Sequence, residues 1–137
     1  MSTSLTKHKG GDQLKYITSD RVPTPAGHYS QAIQSGQLVF VSGQLPSCGN
    51  EADFATQTRS TLQKCADILA ASGGSFDNVV QCTAYIVGME NWPLFNAVYA
   101  EIFGAHKPAR AVVPVPELHY GLKVEIQMIA ALTDKSA

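Results

Sequence analysis

Charge is scarce in this 137-residue chain: Asp, Glu, Lys and Arg make up 15% of it, against a usual share of about 25%. A small domain standing alone normally shows water more polar material, so the deficit points to surface covered by other subunits. Neither sign predominates. Ten Lys and Arg stand against eleven Asp and Glu, for a net charge of −1. That leaves no basic stripe to neutralise a phosphate backbone, and nucleic acid is not an expected partner. The longest apolar run, Met128 to Leu132, is five residues, too short for a membrane span or the core of a secretory signal. An unexported, cytoplasmic protein with no membrane partner is expected. The three cysteines, Cys48, Cys65 and Cys82, are widely spaced, with no C-x-x-C pair and no histidine at ligand spacing. A disulfide framework and a metal centre are both unexpected. Cys65 and Cys82, among apolar neighbours, read as small buried hydrophobes, and Cys48, in a Ser-Cys-Gly-Asn turn, reads as exposed. Phosphate-binding glycine loops, dinucleotide fingerprints, H-E-x-x-H and G-x-S-x-G are also missing, so nothing in the text supports a bound nucleotide cofactor.

What is present is a pattern of short elements. Residues 1–13 have almost nothing to bury and read as a flexible N-terminal tail; residues 14–137 read as one domain. A short strand is expected at Leu14–Ile17, then an irregular loop at Arg21–His28, broken by Pro23, Pro25 and Gly27. Gln31–Gln34 and Leu38–Ser42 flank Ser35-Gly36-Gln37 as a hairpin. Phe54, Thr58, Leu62, Cys65, Ala66 and Leu69 fall on one stripe of a helix that Gly73-Gly74 ends. Val79–Val87 reads as a central strand. Pro93 opens a second helix with Leu94, Phe95, Val98, Tyr99, Ile102 and Phe103 on its apolar face, and Gly104 closes it. Trp92 reads as a capping residue or core anchor. Arg110–Val115 and Lys123–Ala131 are the last strands, with Pro116–Gly121 between them. The order β-β-α-β-α-β-β, after the first short strand, implies an α+β sandwich with two helices on one face of the sheet. The other face then needs a cover, which self-association would supply.

Two charged residues stand in strand contexts with apolar or small neighbours, Arg110 and Glu125. An ionised group there costs several kcal/mol unless it is paired. A mutual salt bridge, a subunit interface and a site that meets charge on a ligand all satisfy that demand. The alternation of Val124, Ile126 and Met128 places Glu125 on the opposite side from that apolar row. Arginine presents a planar fork suited to a carboxylate, and a partly buried glutamate can exchange protons near neutral pH. Tyr29 stands where loop meets strand, and His28 and His119 each adjoin a tyrosine; a lone histidine is more often a surface or interface residue than a base.

Five blocks in order, Gly27-His28-Tyr29-Ser30-Gln31-Ala32, Val39 to Pro46, Asn96-Ala97-Val98-Tyr99, Lys107-Pro108-Ala109-Arg110-Ala111 and Val124-Glu125-Ile126, resemble the Rid (YjgF) family of reactive-intermediate deaminases. The likeness runs from about Gly27 to Ala131. It implies a chorismate-mutase-like, two-layer α+β fold with a mixed sheet, assembled as a homotrimer with sites between subunits. It implies hydrolysis of 2-enamino and 2-imino acids, such as 2-aminoacrylate, to 2-keto acids and ammonia, with no metal or organic cofactor. Arg110 would hold the substrate carboxylate, helped by the backbone N–H of Val112; Glu125 would position a water and move its proton; Tyr29 would wall the cleft. Many members have proline where His28 stands and a small residue such as cysteine where Val112 stands. The His28 imidazole and the His119-Tyr120 pair would suit a larger or dicarboxylic substrate, and some members are 2-aminomuconate deaminases, which is an alternative, as is a noncatalytic trimer that binds a small carboxylate and regulates a partner. A ribonuclease reading, from the family's older naming, sits badly with the neutral charge balance.

Overall fold

The computed structural model describes residues 13–133. The expected tail lies, apart from Gln13, outside them. The elements are β1 (Leu14–Ile17), β2 (Ala32–Ser35), β3 (Leu38–Gln44), α1 (Phe54–Ala71), β4 (Val79–Val87), α2 (Trp92–Phe103), β5 (Ala109–Val115) and β6 (Val124–Ala131). One mixed sheet runs in the order β1-β2-β3-β6-β4-β5, antiparallel except for the parallel pair β4/β5. A parallel pair cannot be joined by a tight turn, and α2 supplies the crossover. Consequently β5 and β6, successive in sequence, are separated in space by β4. The apolar row of β6 explains its central place, because Val124, Ile126, Met128 and Ala130 are all buried.

Local chemistry sets the helix ends. Asp53 caps α1 by accepting from the Thr56 N–H at 2.8 Å, and Gly73 leaves it with φ 89°, a conformation that favours glycine. The buried stripe of α1 holds Phe54, Thr58, Leu62, Cys65 and Leu69 as expected, with Ile68 added, and Ala66 is only half-buried. On α2, Phe95, Val98, Tyr99 and Phe103 are buried, but Leu94 is 49% exposed. One residue turns a helix by about 100°, enough to carry Leu94 out of the face that Phe95 buries. Trp92 is also exposed, so it anchors no core. Cys65 and Cys82 are buried, and Cys48 is half-buried rather than fully exposed.

Both helices pack over one face, and the core lies between them and the sheet. On the other face register aligns Tyr16, Ile33, Phe40 and Ile129 across four strands. Tyr16, Leu38 and Phe40 are exposed there. Among the described strand residues of this face, Glu125 is the only charged one.

Candidate active site

The carboxylate of Glu125 sits where β3 is irregular. A register shift between Val41 and Gln44 lets Gly43 approach β6. A Cβ on Gly43 would collide with Oε2 of Glu125 and lie 3.1 Å from its carboxyl carbon. Bare backbone at Gly43 is therefore the seat of the acid. Around it opens a cleft of about 680 Å³, whose walls include Tyr29, Lys64, His119 and Tyr120. That volume falls in the usual range of small-molecule sites.

The irregular loop forms one wall, with Pro23, Pro25 and Gly27 among the lining residues. It is tied down by Gln31, whose Oε1 accepts from the Ser19 N–H at 2.7 Å. Its Nε2 donates to the carbonyls of Ser19, Val22 and Pro23 at 3.3 to 3.4 Å. A buried amide satisfied in this way fixes a loop that has no regular hydrogen bonds of its own. No periodicity marks Gln31 in the sequence; the one signal is a glutamine at the start of an apolar strand. At the opposite wall Tyr120 takes φ 62°, a left-handed conformation uncommon outside glycine and costing about 1–3 kcal/mol. Asn50 holds it, donating from Nδ2 to the Tyr120 carbonyl at 3.0 Å. The Tyr120 ring is 74% exposed.

Arg110 lies elsewhere. Cys82 of β4 is the register partner of both Arg110 and Met128, whereas Tyr85 is the partner of Glu125. Positions an odd number apart on a strand point to opposite faces, so Arg110 and Glu125 project from opposite sides of the sheet. Within one protomer the mutual salt bridge is excluded. Nη1 of Arg110 donates to Oδ1 of Asn96 at 3.1 Å, and the guanidinium carbon stands 4.8 Å from the Tyr99 ring centre and 5.7 Å from that of Phe95. These cation–π contacts and one neutral acceptor hold the group without neutralising it. Among the described residues no carboxylate lies within 4.0 Å of it. Beneath it, burial pushes the Cys82 thiol up to about 11, against the pull of the Arg110 charge. Val112, the partner of Ala84, shares the side of Arg110 and packs partly against the core.

Of the residues singled out from the sequence, Tyr29 and Glu125 thus share one cleft, and Arg110 and Val112 share β5 on the other side. His119 lines the cleft and exposed His28 does not. Gly43, Lys64, Tyr120 and Gln31 complete the cleft, and none of them is signalled by a catalytic spacing. Among the described residues no cluster of three or more His, Cys, Asp or Glu could hold a metal ion. No described helix is long and apolar enough to cross a membrane.

Comparison with known proteins places this geometry among others. The profile of the family described as Endoribonuclease L-PSP matches residues 19–132. A RutC family protein of Pyrococcus horikoshii is 40% identical over 119 residues, covering 83% of this chain and 94% of the relative. Reactive Intermediate Deaminase A, chloroplastic, of Arabidopsis thaliana is 32% identical over 134 residues, covering 94% of this chain and 72% of the relative. Among solved structures, Escherichia coli TdcF with bound serine superposes with a TM-score of 0.82 at 32% identity, covering 87% of this chain and 99% of that one.

Proposed function

Because the chain belongs to the Rid (YjgF) family, whose profile bears the name Endoribonuclease L-PSP, we propose that it is a hydrolytic deaminase of reactive 2-enamino and 2-imino acids. Its site is completed by two protomers of a homotrimer. The observation that carries this reading is the disposition of two complementary groups. An arginine with no carboxylate partner among the described residues stands on the edge strand β5, and a carboxylate stands in a cleft on the far face of the same sheet. One copy cannot bring them together; a neighbour's edge strand docked on the face that carries Glu125 can. The edge strand also gains a cover, as does the row Tyr16, Ile33 and Phe40.

In this reading Arg110 takes the substrate carboxylate in a bidentate grip, and the backbone N–H of Val112 assists. Tyr29 closes the side of the cleft. Glu125 accepts a proton from a water as the oxygen adds to the imine carbon, forming a C–O bond and turning C=N into C–N. It then returns the proton to the amino nitrogen. Glu125 next takes the hydroxyl proton of the resulting carbinolamine and passes it to the nitrogen, so that the C–N bond breaks, ammonia departs and the carbonyl forms. An enamine enters after protonation at its β-carbon gives the imine. Orientation and one proton relay supply the few kcal/mol that such a labile bond requires. A cytoplasmic setting belongs to the same proposal.

A second reading, a noncatalytic trimer that binds a small carboxylate, draws on the serine bound to the TdcF relative. One experiment separates the two. Arg110→Ala and Glu125→Ala proteins are mixed, unfolded and refolded together, and assayed on 2-aminoacrylate generated in place by a serine dehydratase. Each site needs one intact arginine and one intact glutamate from different protomers, so random mixing restores about a quarter of wild-type turnover. Absence of recovery overturns the shared site. A wild type that binds 2-keto acids but hydrolyses no imine moves the assignment to the binder.

A further inference from the structure

The Glu125 cleft contains a cation that the proposed reaction does not use. Lys64 reaches the cleft wall from α1 and is half-buried. Its Nζ donates to the Leu45 carbonyl at 2.8 Å, which fixes its position and leaves the other ammonium protons free for a ligand. Among the described residues no carboxylate lies within 4.0 Å of it. Glu125 is the only acid in the lining, and it is seated against Gly43. Burial holds the Lys64 ammonium below its ordinary pKa, a penalty that an anion bound beside it would offset.

The cleft of one protomer measures about 680 Å³ before a neighbour's strand docks on it, more room than a three-carbon imino acid needs. The imino acid's single carboxylate is already taken by the neighbour's arginine in the reading above, on which this inference rests. We propose that Lys64 forms a second anionic subsite, so that the preferred substrates are the imines of dicarboxylic amino acids. Arginine and lysine then grip the two ends of an extended dianion, and Glu125 meets the imine carbon between them.

The test compares 2-iminosuccinate, made in place by an aspartate oxidase, with 2-iminopropanoate from the serine dehydratase system. Wild type shows the higher kcat/KM on the dicarboxylic imine. Lys64→Met lowers the dicarboxylic-to-monocarboxylic ratio by about ten- to a hundredfold, the range of one charge-assisted hydrogen bond, and Lys64→Arg restores most of it. Lys64→Gln, which keeps a donor for Leu45, guards against a packing defect and behaves as Lys64→Met does. An unchanged ratio in Lys64→Met and Lys64→Gln overturns the subsite. If wild type hydrolyses neither imine, the deaminase reading fails, and calorimetric titration of 2-oxoglutarate and 2-oxobutanoate decides the subsite alone. A Lys64-dependent preference for 2-oxoglutarate supports it; equal affinities, or no binding of either, overturn it.

Discussion

Gly43→Ala is the sharpest perturbation available, because it adds one methyl group at the seat of the proposed proton carrier. The new Cβ collides with Oε2 of Glu125 and comes 3.1 Å from its carboxyl carbon. The backbone of Gly43 is not among the positive-φ glycines, so alanine fits the main chain there. Its lower unfolded-state entropy contributes about 0.4–1 kcal/mol of stability. Against that, Glu125 must leave its well, at about 0.5–1.5 kcal/mol for an off-rotamer side chain. The two nearly cancel, and global stability stays within about 1 kcal/mol of wild type. Catalysis does not escape, because the carboxylate shifts by about an ångström and a misplacement of that size costs about a hundredfold in rate. Imine hydrolysis coupled to keto-acid detection gives kcat/KM, and urea unfolding gives the stability. Full activity in Gly43→Ala alongside an inactive Glu125→Gln would refute the claim that Gly43 seats the acid. A stability loss beyond about 3 kcal/mol would show that the conflict lies in the core instead.

Other expectations follow from the same contacts. Asn96→Ala removes the one side-chain polar partner of Arg110 among the described residues; KM for the imino acid rises about tenfold while the melting temperature hardly moves, as steady-state kinetics and a thermal scan can show. Tyr120→Gly relieves the left-handed strain at φ 62° and raises stability by about 1 kcal/mol, yet it weakens substrate binding by removing a cleft wall; a fall in stability would contradict the strain. Buried Cys65 and half-buried Cys48 predict that a thiol reagent at neutral pH labels Cys48 first, with Cys65 and Cys82 modified only on unfolding. For Cys82, whose pKa rises from 9.0 to about 11, the folded state keeps a proton that the unfolded chain has released. Stability therefore falls as pH climbs from about 9 to about 11, and Cys82→Ala flattens that slope in pH-dependent melts. Leu62→Ala, at a fully buried position, costs about 2–5 kcal/mol by chemical denaturation.

The sequence by itself determined the elements, because their signals are local. The stripe Phe54, Thr58, Leu62, Cys65 and Leu69, the glycines Gly73 and Gly104, and the alternation along Val124–Ala131 each act over a few residues, and each appears where its pattern places it. It also determined that Arg110 and Glu125 need partners, since charge among apolar neighbours is costly wherever the chain goes. It could not say that β4 separates β5 from β6, or that Arg110 and Glu125 project from opposite faces. Pairing and register depend on residues as far apart in sequence as Tyr85 and Glu125. Gly43, Lys64, Tyr120 and Gln31 carried no catalytic spacing for the same reason. A glycine matters here only because a carboxylate from another strand arrives against it, and a helix lysine only because a strand end leaves it a carbonyl and an open cleft. Periodicity records which way a side chain points along its own segment; only the tertiary structure decides what it meets there.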